Sequence, residues 1–529
     1  MLSTFVIGNI MKEENLMKRF SLRTVVALML TVMMMLSMTI ALGDETPVYG
    51  GKLTLANANP VWPFWANVTS FPGAYAYTWC CVEPLGYETG DGGYQFLIVK
   101  DAIRDNENLT LTLNIYPNIK FHDGSELTAD VLAWNIQTCI DSGIAKSIGN
   151  PVSVEVVGDY SVKLQYDAFS LFWEKLICKV YMYSKQAYDT YGKDYLQNNP
   201  IGTGPFYFDD YQVDKSLTFK KFDEYWGQPA YLDEIEYVFI SDTTALVSTF
   251  INGQSDEVDL GNPNLIQTVE AAGYKAMDIF DYGSVTYLMF NSTLADSPWN
   301  NVDVRRAVCL YGVDWDGIAY AIDGDYGTHY ITTAVPASNH WLDEKEWNID
   351  AGYDPDRALK MLKEAGYEKG FETTLYCGSG DSKVATLIQS ALADLNITVN
   401  VEFVPTTADW RDSGSVEGMI IGGEFSYVDW SSRVTDYYSE TGLYQKVMNF
   451  SDSYREAYRK LVEAENMETI EAQLKQLNYI IHIDECYMVP VYFTPVRFFS
   501  QKTNHGWEDG KRYPASFNAN LIWKDTTEN

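Results

Sequence analysis

Residues 200–260 restrict the fold of this chain more than any other stretch. They open Pro200-Ile201-Gly202-Thr203-Gly204-Pro205-Phe206. Glycine reaches φ values closed to other residues and proline fixes φ, so this is a rigid turn entering a strand. Strands are predicted over 206–211, 216–221 and 234–240. In the second, Leu217 and Phe219 alternate with polar residues, the pattern of a half-buried hairpin strand. Tyr225-Trp226-Gly227 forms a loop before the third strand. Asp242 is placed to N-cap a helix over 243–251 that stops at Asn252-Gly253.

At 529 residues the chain is too long for one core, and two or three domains are expected. The formal net charge of −34 disfavours a nucleic-acid partner, which needs a basic face. Anionic lipid surfaces would also repel the protein. The seven cysteines are scattered and include no C-x-x-C, so they read as buried free thiols more than as a disulfide framework, with one bridge left open in an oxidising compartment. Lys18, Arg19 and Arg23 precede an apolar run over 25–40, and Ala41-Leu42-Gly43 ends it. This has the form of a signal peptide over 1–43, with an uncleaved anchor as the competing reading.

Further along, a helix is expected over 77–85, ending at Glu83-Pro84-Leu85. Phe121-His122-Asp123-Gly124 is a tight turn, and Thr128 is placed to N-cap the helix that follows. His122 is read as structural. Residues 284–291 form a continuous apolar strand, expected to be buried on both faces. Arg305-Arg306 is read as pairing with nearby acids. Residues 371–376, 383–395 and 397–404 follow strand–helix–strand grammar, with parallel pairing expected.

Four ordered segments carry a resemblance: the Gly-Thr-Gly-Pro to Tyr-Trp-Gly stretch, Phe121-His122-Asp123-Gly124 with Leu127-Thr128-Ala129-Asp130-Val131, Asn301-Val302-Asp303-Val304-Arg305-Arg306-Ala307-Val308, and Tyr353-Asp354-Pro355 through Ala365-Gly366-Tyr367. Together they resemble the extracytoplasmic solute-binding proteins of ABC transporters, in the peptide- and nickel-binding family. The resemblance implies an α/β, two-lobed periplasmic-binding-protein-like fold of type II, with an extra domain inserted in the first lobe. Its expected division is lobe I over 44–88, 189–285 and 494–529, an inserted domain over 89–188, and lobe II over 286–493.

The function implied is capture of a solute, with a peptide as first choice, and delivery to an ABC permease. An oligosaccharide or a metal chelate is the alternative within the fold. A secreted hydrolase of peptides or glycans is the alternative of another class, although G-x-S-x-G, H-E-x-x-H and G-K-[ST] are missing. No catalysis, cofactor or bound metal is expected, and the protein is taken as an extracytoplasmic monomer. Trp62 and Trp65, in the loop after the first strand, either stack on a ligand or plug the lobe. In peptide-binding members an aspartate after a Gly-Trp-like stretch pairs with the ligand amine. Here Phe425 stands for that tryptophan and Asp429 lies about one residue from the aspartate's place. Trp410 and Tyr427 complete the expected ligand-binding set.

Overall fold

The computed structural model describes residues 46–57, 64–65, 67, 79–89, 93–277, 283–334, 339, 341–347, 349–425, 430–507, 511–512 and 516–525. The leader therefore lies outside the described residues. Among the described residues no helix is long and apolar enough to cross a membrane.

The first large sheet has six strands, in the order Arg497–Ser500, Glu257–Leu260, Lys52–Asn57, Glu234–Phe239, Ser216–Lys221 and Phe206–Gln212. Lys52–Asn57 runs parallel to both Glu234–Phe239 and Glu257–Leu260, and the remaining pairs are antiparallel. Lys524 is tied to this sheet. The Lys524 ammonium lies 2.7 Å from Asp256, whose carboxylate also accepts from the Thr54 N–H at 2.6 Å.

The second large sheet has five strands, in the order Ile397–Phe403, Phe371–Cys377, Met419–Phe425, Gly283–Phe290 and Met488–Pro495. Gly283–Phe290 is the apolar strand anticipated. Leu288 and Phe290 enter one core cluster, and Tyr287 and Met289 enter the cluster on the other face. With both faces covered there is no wet side to impose alternation. The parallel pairing of Phe371–Cys377 with Ile397–Phe403 agrees with the strand–helix–strand pattern. A third, antiparallel sheet of four strands spans Val99–Asp105, Thr110–Ile115, Ser161–Gln165 and Ser153–Gly158, and packs on the helix Ala129–Asp141.

The turn at 202–205 is a hub. The Gly204 N–H donates to the Cys81 carbonyl and the Phe206 N–H to the Cys80 carbonyl, both at 2.9 Å. A Cβ on Gly202 would meet the Cys81 carbonyl oxygen at 2.4 Å. His122 closes the other side: its Nε2 donates to the Gly204 carbonyl at 2.9 Å and its Nδ1 accepts from the Gly202 N–H at 3.4 Å. Burial pushes the His122 ring down to about 4, so it is neutral and structural.

Two expectations are corrected. Residues 79–85 are turn, bend and bridge rather than helix, because the carbonyls of Cys80 and Cys81 serve the 202–206 segment and Pro84 bridges to Tyr181. Thr128 occupies the N-cap position but its hydroxyl accepts no cap bond. Arg305 and Arg306 pair with nearby acids as expected, Arg305 with Glu485 at 3.3 Å and Arg306 with Asp303 at 3.8 Å; Arg305, only 2 % exposed, also donates to the carbonyls of Trp299, Asn300 and Glu485. All seven cysteines are buried and none forms a disulfide.

Candidate functional site

Three strands of the second sheet point the same way: Phe371–Cys377, Ile397–Phe403 and Met419–Phe425. Their carboxyl ends share one edge, where an open α/β sheet leaves a crevice between departing loops. A cavity of about 320 Å³ lies there. Gly378 and Asp381 border it from the loop after the first of these strands, and residues 404–407 from the loop after the second. Ile421, Gly422 and Gly423 form its floor, with Thr286 of the crossing strand beside them. Thr286 is in register with Gly423, and Tyr287 with Gly422.

The paired glycines explain the bare floor. A Cβ on Gly422 would sit 2.5 Å from the Tyr287 ring. That ring is buried, and its hydroxyl shares a 2.6 Å hydrogen bond with the Tyr444 hydroxyl, so it has nowhere to go. A Cβ on Gly423 would have its nearest neighbour at 3.8 Å, so this position is open. Glycine inside a strand marks a place where another group approaches the backbone closely.

The cavity meets the crossing point of the chain. Gly283–Phe290 and Met488–Pro495 pair with each other at its edge. From the first sheet, Gly261 follows the strand Glu257–Leu260, and a Cβ there would lie 3.6 Å from the Thr494 methyl. The carboxyl edges of the parallel strands in both sheets thus converge on the crossing strands.

Two acids stand at this edge. Asp381 is partly buried, at the N-cap of the helix Ser382–Ala393, and makes no side-chain cap bond. Desolvation pushes its carboxyl above the ordinary range. Glu424 turns to the opposite face, where it accepts from the Tyr438 hydroxyl at 3.0 Å and lies 3.6 Å from Arg433. Burial raises the Glu424 carboxyl, and the Arg433 charge opposes that rise. Arg433 also lies over the Tyr437 ring at 4.5 Å, where a guanidinium gains from the ring face.

The structure distributes the anticipated site residues unevenly. Trp65 is 2 % exposed and stacks on Tyr183 at 5.1 Å, so it plugs the first lobe. Trp410 is 3 % exposed in the helix Ala408–Ser413, inside the cluster that holds Tyr287 and Trp430. Both rings serve cores instead of the cavity wall, since burying so much apolar area outweighs leaving it to a ligand. Phe425 ends the strand that carries Gly422 and Gly423. Trp62, Tyr427 and Asp429 lie outside the described residues. Asp381 and the bare floor were not anticipated. The signals for them were a Gly-Gly pair inside an apolar strand and an aspartate in a strand-to-helix loop.

A family model described as bacterial extracellular solute-binding proteins, family 5 (Middle), matches residues 99–445, more than half of the chain. The chain belongs to this family. It is 26% identical over 364 residues to heme-binding protein A of Haemophilus influenzae, covering 61% of this chain and 64% of that protein. It is 26% identical over 342 residues to the glutathione-binding protein GsiB of Salmonella paratyphi A, covering 62% and 64%. The chain thus spans 64% of the length of these curated relatives. Its fold is similar to that of the oligopeptide-binding protein AppA from Bacillus subtilis, solved in complex with a nonapeptide. The TM-score is 0.72 at 18% identity, over 91% of this chain and 100% of that one. The two-lobed α/β fold expected from the sequence is therefore the fold of this family 5 chain.

Proposed function

We propose that this family 5 protein is the solute-binding component of an ABC import system, working outside the cytoplasmic membrane. It captures a peptide between two lobes and hands it to the permease without altering it. The observation that carries this reading is the cavity at the carboxyl ends of parallel strands, beside the two strands where the chain crosses between sheets. Crossing strands of this kind act as a hinge, and closure over the ligand follows from bending there. The names of the relatives, glutathione-binding and oligopeptide-binding, favour a peptide ligand. Phe425 ends the strand that forms the cavity floor, Tyr427 and Asp429 follow it in the sequence, and Asp429 is the proposed partner of a ligand amine. Trp62, which follows Lys52–Asn57 in the sequence, is proposed to contact the ligand.

The domain limits proposed are lobe I over 44–88, 189–285 and 494–529, the inserted domain over 89–188, and lobe II over 286–493. The distribution of strands supports them: the six-stranded sheet, the four-stranded sheet and the five-stranded sheet fall almost wholly within these three divisions. The protein is proposed to act as a monomer.

A thermal-shift screen of peptides, oligosaccharides and metal chelates tests the ligand class, because a ligand at 100 times its Kd stabilises by about 2.7 kcal/mol. Peptides are expected to give the shift. Mass spectrometry of the bound peptide after long incubation should recover it intact. Product that accumulates in step with the protein through purification would replace this reading with a hydrolase.

A further inference from the structure

The cavity on the second sheet has a one-sided charge. Among the described residues that border it, Asp381 is the titratable one, and no lysine or arginine accompanies it. The nearest basic side chain along the chain, Lys383, is engaged elsewhere, donating to the Ile322 carbonyl at 2.9 Å. Asp381 is also not spent on its own helix, whose N-cap bond it leaves unmade. A second carboxylate stands close by. Asp323 accepts from the Thr494 hydroxyl at 2.6 Å. Tyr492, on the crossing strand and hydrogen-bonded to Thr286, feels the charge of both Asp323 and Asp381. The Asp381 carboxylate takes a backbone hydrogen bond from Gly378, and, partly buried with no cationic partner, it favours a positive charge from outside. The space offered, about 320 Å³ over a floor that carries two adjacent glycines, admits an extended side chain.

We propose that this cavity is a side-chain subsite for a basic residue of the ligand, lysine or arginine, with Asp381 as its counter-ion. The proposal rests on the solute-binding reading above and adds the ligand's charge class. The ligand's cationic head lies against the Asp381 carboxylate, its aliphatic stem runs over Gly422 and Gly423, and an acidic side chain is turned away by like charge.

The test is calorimetry with trilysine, trialanine and triglutamate, all with free termini, at low salt. Trilysine is expected to bind most tightly and triglutamate least. Asp381→Asn should weaken trilysine about tenfold, the low end for losing a hydrogen bond to a charged group, and weaken trialanine much less. Asp381→Ser serves as a second charge-removing variant if the first misfolds. The unmodified protein should lose part of its preference for trilysine in about 0.5 M salt, where exposed charges are screened. If trialanine binds but trilysine is not preferred, or if both variants bind trilysine as tightly as the parent, the basic subsite is overturned and the peptide-binding reading stands. If none of the three peptides binds, the peptide reading falls together with the subsite.

Discussion

Glu83 is a carboxyl group buried in the first lobe and surrounded by donors. Thr203 donates at 2.8 Å, Tyr225 at 2.6 Å and Trp226 at 2.9 Å. Those bonds favour the charged form, yet desolvation wins and pushes the carboxyl up to about 7 from 4.5. The folded state therefore keeps a proton that the unfolded chain releases near 4.5. Between those two values the native state binds more protons, so stability is highest below the window, falls as pH rises through it, and is flat above about 7. The size of the effect is on the order of 3 kcal/mol, from 1.36 kcal/mol per unit. Glu83→Gln should flatten the dependence of Tm on pH between those values, whatever it costs overall. Parallel pH profiles for the variant and the parent would show that this carboxyl is not the cause.

The strand Met419–Phe425 carries two adjacent glycines with different duties. Gly422 leaves room for the buried Tyr287 ring, so Gly422→Ala should destabilise by ~1–3 kcal/mol, as overpacking does. Gly423 faces the cavity with space around it, so Gly423→Ala should leave the denaturation midpoint nearly unchanged and weaken peptide binding. Urea unfolding and calorimetry on the pair separate the two roles, and equal loss of stability in both variants would contradict the assignment. The turn at 202–205 shows element-scale coupling. Its local chemistry was legible in Gly202, Gly204 and Pro205, and so was the helix Thr243–Ile251, where Asp242 accepts from the Ala245 N–H at 2.7 Å. The irregular path of residues 79–85 was not, because its backbone partners sit about 120 residues away at the turn.

Across the whole molecule, the cysteines test the burial of several cores at once. All seven are buried, and desolvation raises Cys81 and Cys139 to about 12, far from the reactive thiolate. A thiol reagent at neutral pH should find none in the native protein and seven after unfolding without reductant. Fast native labelling, or fewer than seven on unfolding, would reveal an open core or a disulfide. The sequence alone determined the strand–helix–strand order, the rigid turn, the doubly buried strand Gly283–Phe290 and the resemblance to solute-binding proteins. The first three rest on local φ preferences and on hydrophobic period, which neighbouring residues set, and the resemblance rests on four ordered motif segments. Tertiary structure decided what aromatic side chains do. Trp65 and Trp410 carry the same local signal whether they face a ligand or a core, and it is Tyr183 in one case and the cluster around Tyr287 in the other that buries them. It also decided the site. Thr286, Asp381 and Gly423 come from three separate segments, and only the parallel alignment of Phe371–Cys377 with Met419–Phe425 and the antiparallel pairing of Gly283–Phe290 beside them bring the three to one cavity.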